Sequence, residues 1–147
     1  MKIVYMHHAE RDKNEDDNIT ERGIRHISLF SEMAKDVKFD AIFSSMHLRC
    51  RRTADIVNQY HNLEIIEDER FNEKRKDEDF KSFLERNMEA IDDIVRTYSD
   101  DSLILCVTSG VNISAFICYA YKVSVSNDLD YIQACDISPV IFNIKKR

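Results

Sequence analysis

The sequence predicts an α/β fold, a three-layer α/β/α domain built on a mostly parallel sheet. Three observations carry this. Short apolar runs alternate with longer stretches whose apolar residues recur at helical spacing, in the order β-α-β-α-β-α-β-α-β-β. Two of the runs, 39–44 and 102–108, are almost continuously apolar, as strands covered on both faces must be. Only two glycines and one proline interrupt the chain, and no repeat or low-complexity linker divides it. At 147 residues it reads as one domain, 1–147, large enough to bury its own core.

The elements follow in order. Ile3 to Met6 form an apolar run that ends in His7, His8, Ala9 and Glu10. The polar stretch from Arg11 to Asn18 reads as a loop. Thr20 is a suitable N-cap for a helix running to about Lys35, with Ile24, Ile27, Met33 and Ala34 as its apolar contacts. Phe39 to Ser44 reads as a central strand, and a helix from about His47 to Tyr60 buries Leu48, Ala54, Ile56 and Val57. Leu63 to Ile66 make a short strand, followed by a polar loop over Glu69 to Asp77. Phe80, Phe83, Leu84, Met88, Ile91, Ile94 and Val95 then mark an amphipathic helix whose Phe and Met residues belong to the core. Ser102 to Thr108 is the clearest buried strand. Ser109 and Gly110 turn the chain into an apolar helix, Val111 to Tyr121. Tyr131 to Cys135 and Val140 to Ile144 close the pattern as strands joined around Pro139.

Composition narrows the function classes. With 44% apolar and 33% charged residues the chain is an ordinary globular one, and no run is long enough to span a membrane. The start lacks the basic and apolar pattern of a secretory signal, so a cytoplasmic location is expected. A net charge of −6 disfavours nucleic acid and anionic membrane partners. Against it, Arg49, Arg51 and Arg52 form a local basic cluster suited to a small anion. Cys50, Cys106, Cys118 and Cys135 form no CxxC pair and match no zinc spacing, so free thiols and no metal are expected.

Several familiar chemistries fail on spacing. The sixth residue after Cys106 is Asn112, not the arginine of a Cys-x5-Arg phosphatase loop, and Cys106 falls inside an apolar strand. No Gly-Lys-Ser/Thr exists for a Walker loop, and Ser109 lacks a Gly-x-Ser-x-Gly elbow. What remains is a set of polar residues just beyond the carboxyl ends of strands, where open α/β sheets bind ligands. His7 and His8 follow the first, and Arg49 opens the helix after the second. Glu73 lies in the loop after the third, and Ser109 and Gly110 follow the fourth.

Those segments resemble the histidine phosphatase superfamily, with its phosphoglycerate mutase-like fold, over nearly the whole chain and in order. Ile3 to Glu10 is similar to the opening strand followed by Arg-His-Gly/Ala-Glu. Ile19-Thr20-Glu21-Arg22-Gly23 is similar to Leu-Thr-x-x-Gly. Phe39 to Ala54 resembles Phe-Asp-x-Ile-x-Ser-Ser…Leu-Arg-x-x-x-Thr-Ala. Phe71-Asn72-Glu73 is similar to the segment bearing the acidic residue, and Val107-Thr108-Ser109-Gly110 to Val-Thr-His-Gly. The short chain looks most like the compact SixA-like members. The resemblance implies that His8 accepts the phosphoryl group and that Glu73 protonates the leaving oxygen. His7, Arg49, Ser109 and Gly110 would line the phosphate pocket. It implies metal-independent hydrolysis of a phosphomonoester or phosphohistidine, with no cofactor, on a phosphorylated small molecule or phosphoprotein.

Two pocket positions depart from the pattern. His7 stands where the family has arginine, and Ser109 where it has a second histidine. Removing one preorganised donor costs about 2.7–4 kcal/mol of transition-state stabilisation. Three readings stay open: a slow or specialised phosphatase, a pseudophosphatase that binds a phosphorylated or anionic ligand, or an introduced substitution that traps a ligand. Among other residues, Glu69 and Glu78 compete with Glu73 for the acid role, and Glu10 is expected to pair near the pocket. His47 reads first as a partly exposed helix-start histidine, with a place at the pocket edge as the alternative, and Ser45 as a further hydrogen-bonding group. Arg51, Arg52, His26 and His61 read as ordinary helix residues.

Overall fold

A computed structural model describes residues 1–15, 17–122 and 139–145. The elements are β1 (Lys2–His7), α1 (Glu21–Met33), β2 (Ala41–Ser44), α2 (Leu48–Asn58), β3 (Ile65–Glu67), a 3₁₀ turn at Glu69–Phe71, α3 (Phe80–Thr97), β4 (Leu103–Thr108), α4 (Gly110–Ala120) and β5 (Pro139–Asn143). The expected strand at Tyr131 to Cys135 lies outside the described residues.

The five strands among the described residues run in the order β3-β2-β4-β1-β5. Pairing is parallel throughout except for β5, which is antiparallel to β1 with Met6 opposite Pro139. Proline is tolerated there because it is the first residue of the strand. The period-two alternation of side chains divides the core into two layers. Ile3, Tyr5, Ala41, Phe43, Ile104 and Cys106 face α3 and α4, meeting Ile91, Ile94, Ile113 and Phe116. Val4, Met6, Ile42, Leu105 and Val107 face α1 and α2, meeting Ile27, Ala54 and Val57. Helices therefore cover both faces, as the continuous apolar character of β4 requires.

Thr20 caps α1 as expected, its side chain accepting the Gly23 amide at 2.9 Å. Two assigned contacts are corrected. Met33 is 85% exposed and Leu48 is 45% exposed. Ile27 and Ala34 lie seven residues apart on one stripe, and Met33 falls beside it. In α2 the buried face is Cys50, Thr53, Ala54 and Val57, and Leu48 points away from it. Cys50, Cys106 and Cys118 are free and buried. Burial raises the Cys106 thiol pKa well above its usual range, which suits a core residue and not a nucleophile. Among the described residues, no helix is long and apolar enough to cross a membrane.

Candidate active site

The parallel register brings three strand ends together. His7 pairs with Thr108 and Ser44 with Val107, so His8, Ser45 and Ser109 emerge side by side at the carboxyl edge of the sheet. The His8 amide continues the ladder to the Thr108 carbonyl at 3.0 Å, and the Ser45 amide does the same to Val107 at 3.0 Å. Backbone hydrogen bonding alone thus fixes where these side chains start.

His8 is 7% exposed. Its Nδ1 lies 2.7 Å from the Ala9 carbonyl oxygen, which can only accept, so Nδ1 carries the proton. Nε2 is left with its lone pair and accepts from Arg49 Nε at 3.1 Å. Burial, and then the neighbouring His7, lower the His8 pKa to about 3. The ring is therefore neutral at physiological pH. The His7 ring lies over it, centroids 4.1 Å apart at 33°.

Thr53 holds this arrangement. Its hydroxyl accepts the Ala9 amide at 3.0 Å and donates to the Arg49 carbonyl at 2.7 Å. One buried side chain thus joins the peptide that orients His8 to the helical turn that bears Arg49. The matched Leu-Arg-x-x-x-Thr-Ala segment contained Thr53, but its role was not assigned from sequence.

Arg49 is 3% exposed and faces three partners. Besides His8, its Nη1 pairs with Asp17, and Nη2 pairs with Glu73 at 2.7 Å. Asp17 also accepts the Leu48 amide at 2.7 Å, and its carboxylate lies 3.4 Å from Nδ1 of His47. Sequence reading missed Asp17, because one carboxylate among several in a polar loop carries no distinguishing signal.

Glu73 is the carboxylate that reaches Arg49, and its side chain is 47% exposed. Glu78 is engaged elsewhere, paired with Arg86 at 2.6 Å, which holds its carboxyl below the usual range. Arg86 also donates to the carbonyls of Arg70, Asn72 and Glu73, anchoring the loop that presents Glu73. A buried amide network does the same from the other side. Asn112 Nδ2 donates to the Phe71 and Asn72 carbonyls and to Asn87 Oδ1, and Thr108 donates to the Phe71 carbonyl.

Ser109 is 3% exposed, and its hydroxyl donates to Asn112 Oδ1 at 2.6 Å. In this arrangement its proton serves the amide network, which leaves only acceptor capacity on the hydroxyl oxygen. Gly110 begins α4. Ser45 is buried, with Oγ 3.4 Å from the His47 amide. Glu10 pairs with Arg22 and accepts from the Thr20 hydroxyl, contacts that keep its carboxyl below the usual range. Arg51 pairs with Asp55 and Glu67 away from the site, whereas Arg52 donates to the Asn18 side chain in the loop that carries Asp17. Among the described residues, no group of three or more His, Cys, Asp or Glu side chains is placed to hold a metal ion.

The fold agrees with the comparisons to known proteins. YhfR of Bacillus stearothermophilus superposes with a TM-score of 0.84 at 19% identity, covering 98% of this chain and 91% of that one. Mycobacterial glucosyl-3-phosphoglycerate phosphatase Rv2419c gives 0.79 at 17% identity, covering 95% and 88%. Phosphoglycerate mutase from Bacillus anthracis gives 0.77 at 15% identity, covering 97% and 88%. No curated protein matches the sequence. The family model for the histidine phosphatase superfamily, branch 1, matches residues 6–76 and 74–146. With the match spanning almost the whole chain and the strand-end histidine and arginine in contact, the protein belongs to the histidine phosphatase superfamily.

Proposed function

We propose that the protein hydrolyses phosphomonoesters through a covalent phosphohistidine on Nε2 of His8. The observation that carries this reading is the orientation of the ring. Nδ1–H is spent on the Ala9 carbonyl, so the Nε2 lone pair faces the guanidinium of Arg49. An unprotonated imidazole nitrogen beside a buried cation is what in-line attack on a phosphoryl group requires.

In the first step the Arg49 Nε–H passes from Nε2 to a phosphoryl oxygen, and the freed Nε2 lone pair forms a bond to phosphorus as the ester P–O bond breaks. Glu73, as the general acid of this step, gives a proton to the leaving oxygen. Water then attacks phosphorus and gives up a proton to the Glu73 carboxylate. The N–P bond breaks, and inorganic phosphate and neutral His8 are restored. Arg49 offsets charge on the phosphoryl oxygens, and no metal or cofactor is needed for the sequence of bonds made and broken.

A second reading has an observation of its own. Ser109 donates its proton to Asn112, and His7 replaces the family's arginine, so the pocket has fewer committed donors than its relatives' pattern provides. These features support a module that binds a phosphorylated or anionic ligand without turnover. Hydrolysis of p-nitrophenyl phosphate by the protein and by His8→Ala separates the two. Turnover that vanishes in the variant is the expected result. Activity unchanged in His8→Ala overturns the mechanism, and absence of turnover in both favours the binding module.

A further inference from the structure

Each nitrogen of the buried Arg49 guanidinium already has a partner within the chain. Asp17 is the most invasive of them. One oxygen of its carboxylate pairs with Arg49 Nη1, and the other accepts the amide of Leu48, the first residue of α2. A guanidinium and a helix-start amide are the donors that a phosphoryl group would use at this position. The carboxylate is also held in place by its backbone. Asp17 adopts φ 59°, and the next side chain, Asn18, is anchored by Arg52 and accepts the Ile19 amide at 2.8 Å.

We propose that Asp17 is a tethered competitor for the phosphoryl subsite, an autoinhibitory contact that lowers its affinity for phosphoryl ligands. The inference rests on the reading of this pocket as a phosphoryl site. A phosphoryl oxygen and the Asp17 carboxylate cannot occupy Nη1 and the Leu48 amide together, and two like charges at that separation repel. Binding therefore requires the carboxylate to rotate away, and the apparent affinity falls by the fraction of molecules in which it has done so. Inorganic phosphate brings nothing to offset that cost. A phosphorylated molecule bears the same cost and can offset it with contacts elsewhere on the pocket rim.

The test measures the dissociation constant of inorganic phosphate by calorimetry at constant ionic strength. It compares the protein with Asp17→Asn, Asp17→Gly and Asp12→Asn. Asparagine and glycine both accept a left-handed backbone, so neither substitution strains the chain. Asp12→Asn removes the same charge from the same loop at a side chain that accepts the Asn14 amide at 2.8 Å. The expected result is phosphate binding roughly tenfold tighter or better in both Asp17 variants, the shift for a subsite self-occupied in about nine molecules of ten. Asp12→Asn should change it little. Equal affinity in the protein and its Asp17 variants overturns the inference, as does an equal gain in Asp12→Asn or no phosphate binding in any of them. His8-dependent turnover without tightening rejects the competitor role alone. Tightening without turnover in any form rejects hydrolysis and leaves the competitor in place.

Discussion

The Nε–H of Arg49 donates to Nε2 of His8 at 3.1 Å, so the proposed attacking atom and the proposed phosphate clamp share one hydrogen bond. A guanidinium has no acceptor, so this contact exists only while Nε2 is unprotonated. The bond therefore couples the position of Arg49 to the protonation state of His8. With Nδ1 held by Ala9, the ring has one tautomer that satisfies both neighbours.

That coupling makes stability depend on pH in a defined direction. The folded His8 has a pKa of about 3, well below the ordinary value for an unfolded chain. Between pH 6.5 and 3 the unfolded chain takes up a proton that the folded one refuses. The His8 contribution is thus fully present above about pH 6.5 and is lost as pH falls, with about 2 kcal/mol gone by pH 5. Urea denaturation at pH 7.5 and 5.0 should show this acid sensitivity reduced by about that amount in His8→Gln. Identical pH dependence in the two proteins would contradict the assignment.

Arg49→Lys should weaken phosphate or vanadate binding by 10-fold or more, on the order of 1.4 kcal/mol. A lysine carries the charge but cannot reach His8, Asp17 and Glu73 from one planar fork. Stability should also fall by roughly 1–3 kcal/mol, because buried His8 Nε2 loses its donor. Titration calorimetry and thermal denaturation check the two effects. Wild-type affinity in the lysine variant would show that charge alone suffices.

Thr53→Val keeps the shape of the side chain and removes its hydroxyl. The buried Ala9 amide then loses its acceptor, at a cost of about 1–3 kcal/mol. Because the adjacent Ala9 carbonyl orients His8, kcat should fall more than KM changes, while Thr53→Ser should restore most of the rate. Equal losses in serine and valine would point to packing by the methyl group.

Gly23→Ala sets two effects against each other. Alanine improves helix propensity by up to about 1 kcal/mol. Its Cβ, however, would meet the Glu10 backbone nitrogen and oxygen, each at 3.1 Å. Backbone two residues beyond His8 cannot yield without disturbing the site, so overpacking by about 1–3 kcal/mol should win. Chemical denaturation should show net destabilisation. A more stable variant would show that the Glu10 segment shifts freely.

Much of this architecture was legible because it rests on local pattern. Continuous apolar runs marked β2 and β4 as interior strands, and Thr20 marked the start of α1. The width of a buried stripe was harder to read. Met33 and Leu48 are apolar residues beside their helices' buried faces, and periodicity near a helix end does not say where the neighbouring element stops. Glu73 stood among several carboxylates until Arg86 took Glu78 and Arg49 took Glu73. Ser109 stands at its expected strand end, but residue type does not say where its proton goes; it goes to Asn112, a partner that the turn of α4 brings within reach.

The sequence by itself determined the order of elements, the family, and which strand ends bear histidine, arginine and serine. Those properties depend on residue type and spacing along the chain. Only the tertiary structure decided who holds whom: Thr53 on Ala9, Ala9 on His8, and Asp17 on Arg49. Asp17 and Arg49 are separated by 32 positions. Their contact is set by where a polar loop meets the start of α2, because an ion pair depends on distance in space and not on spacing in sequence.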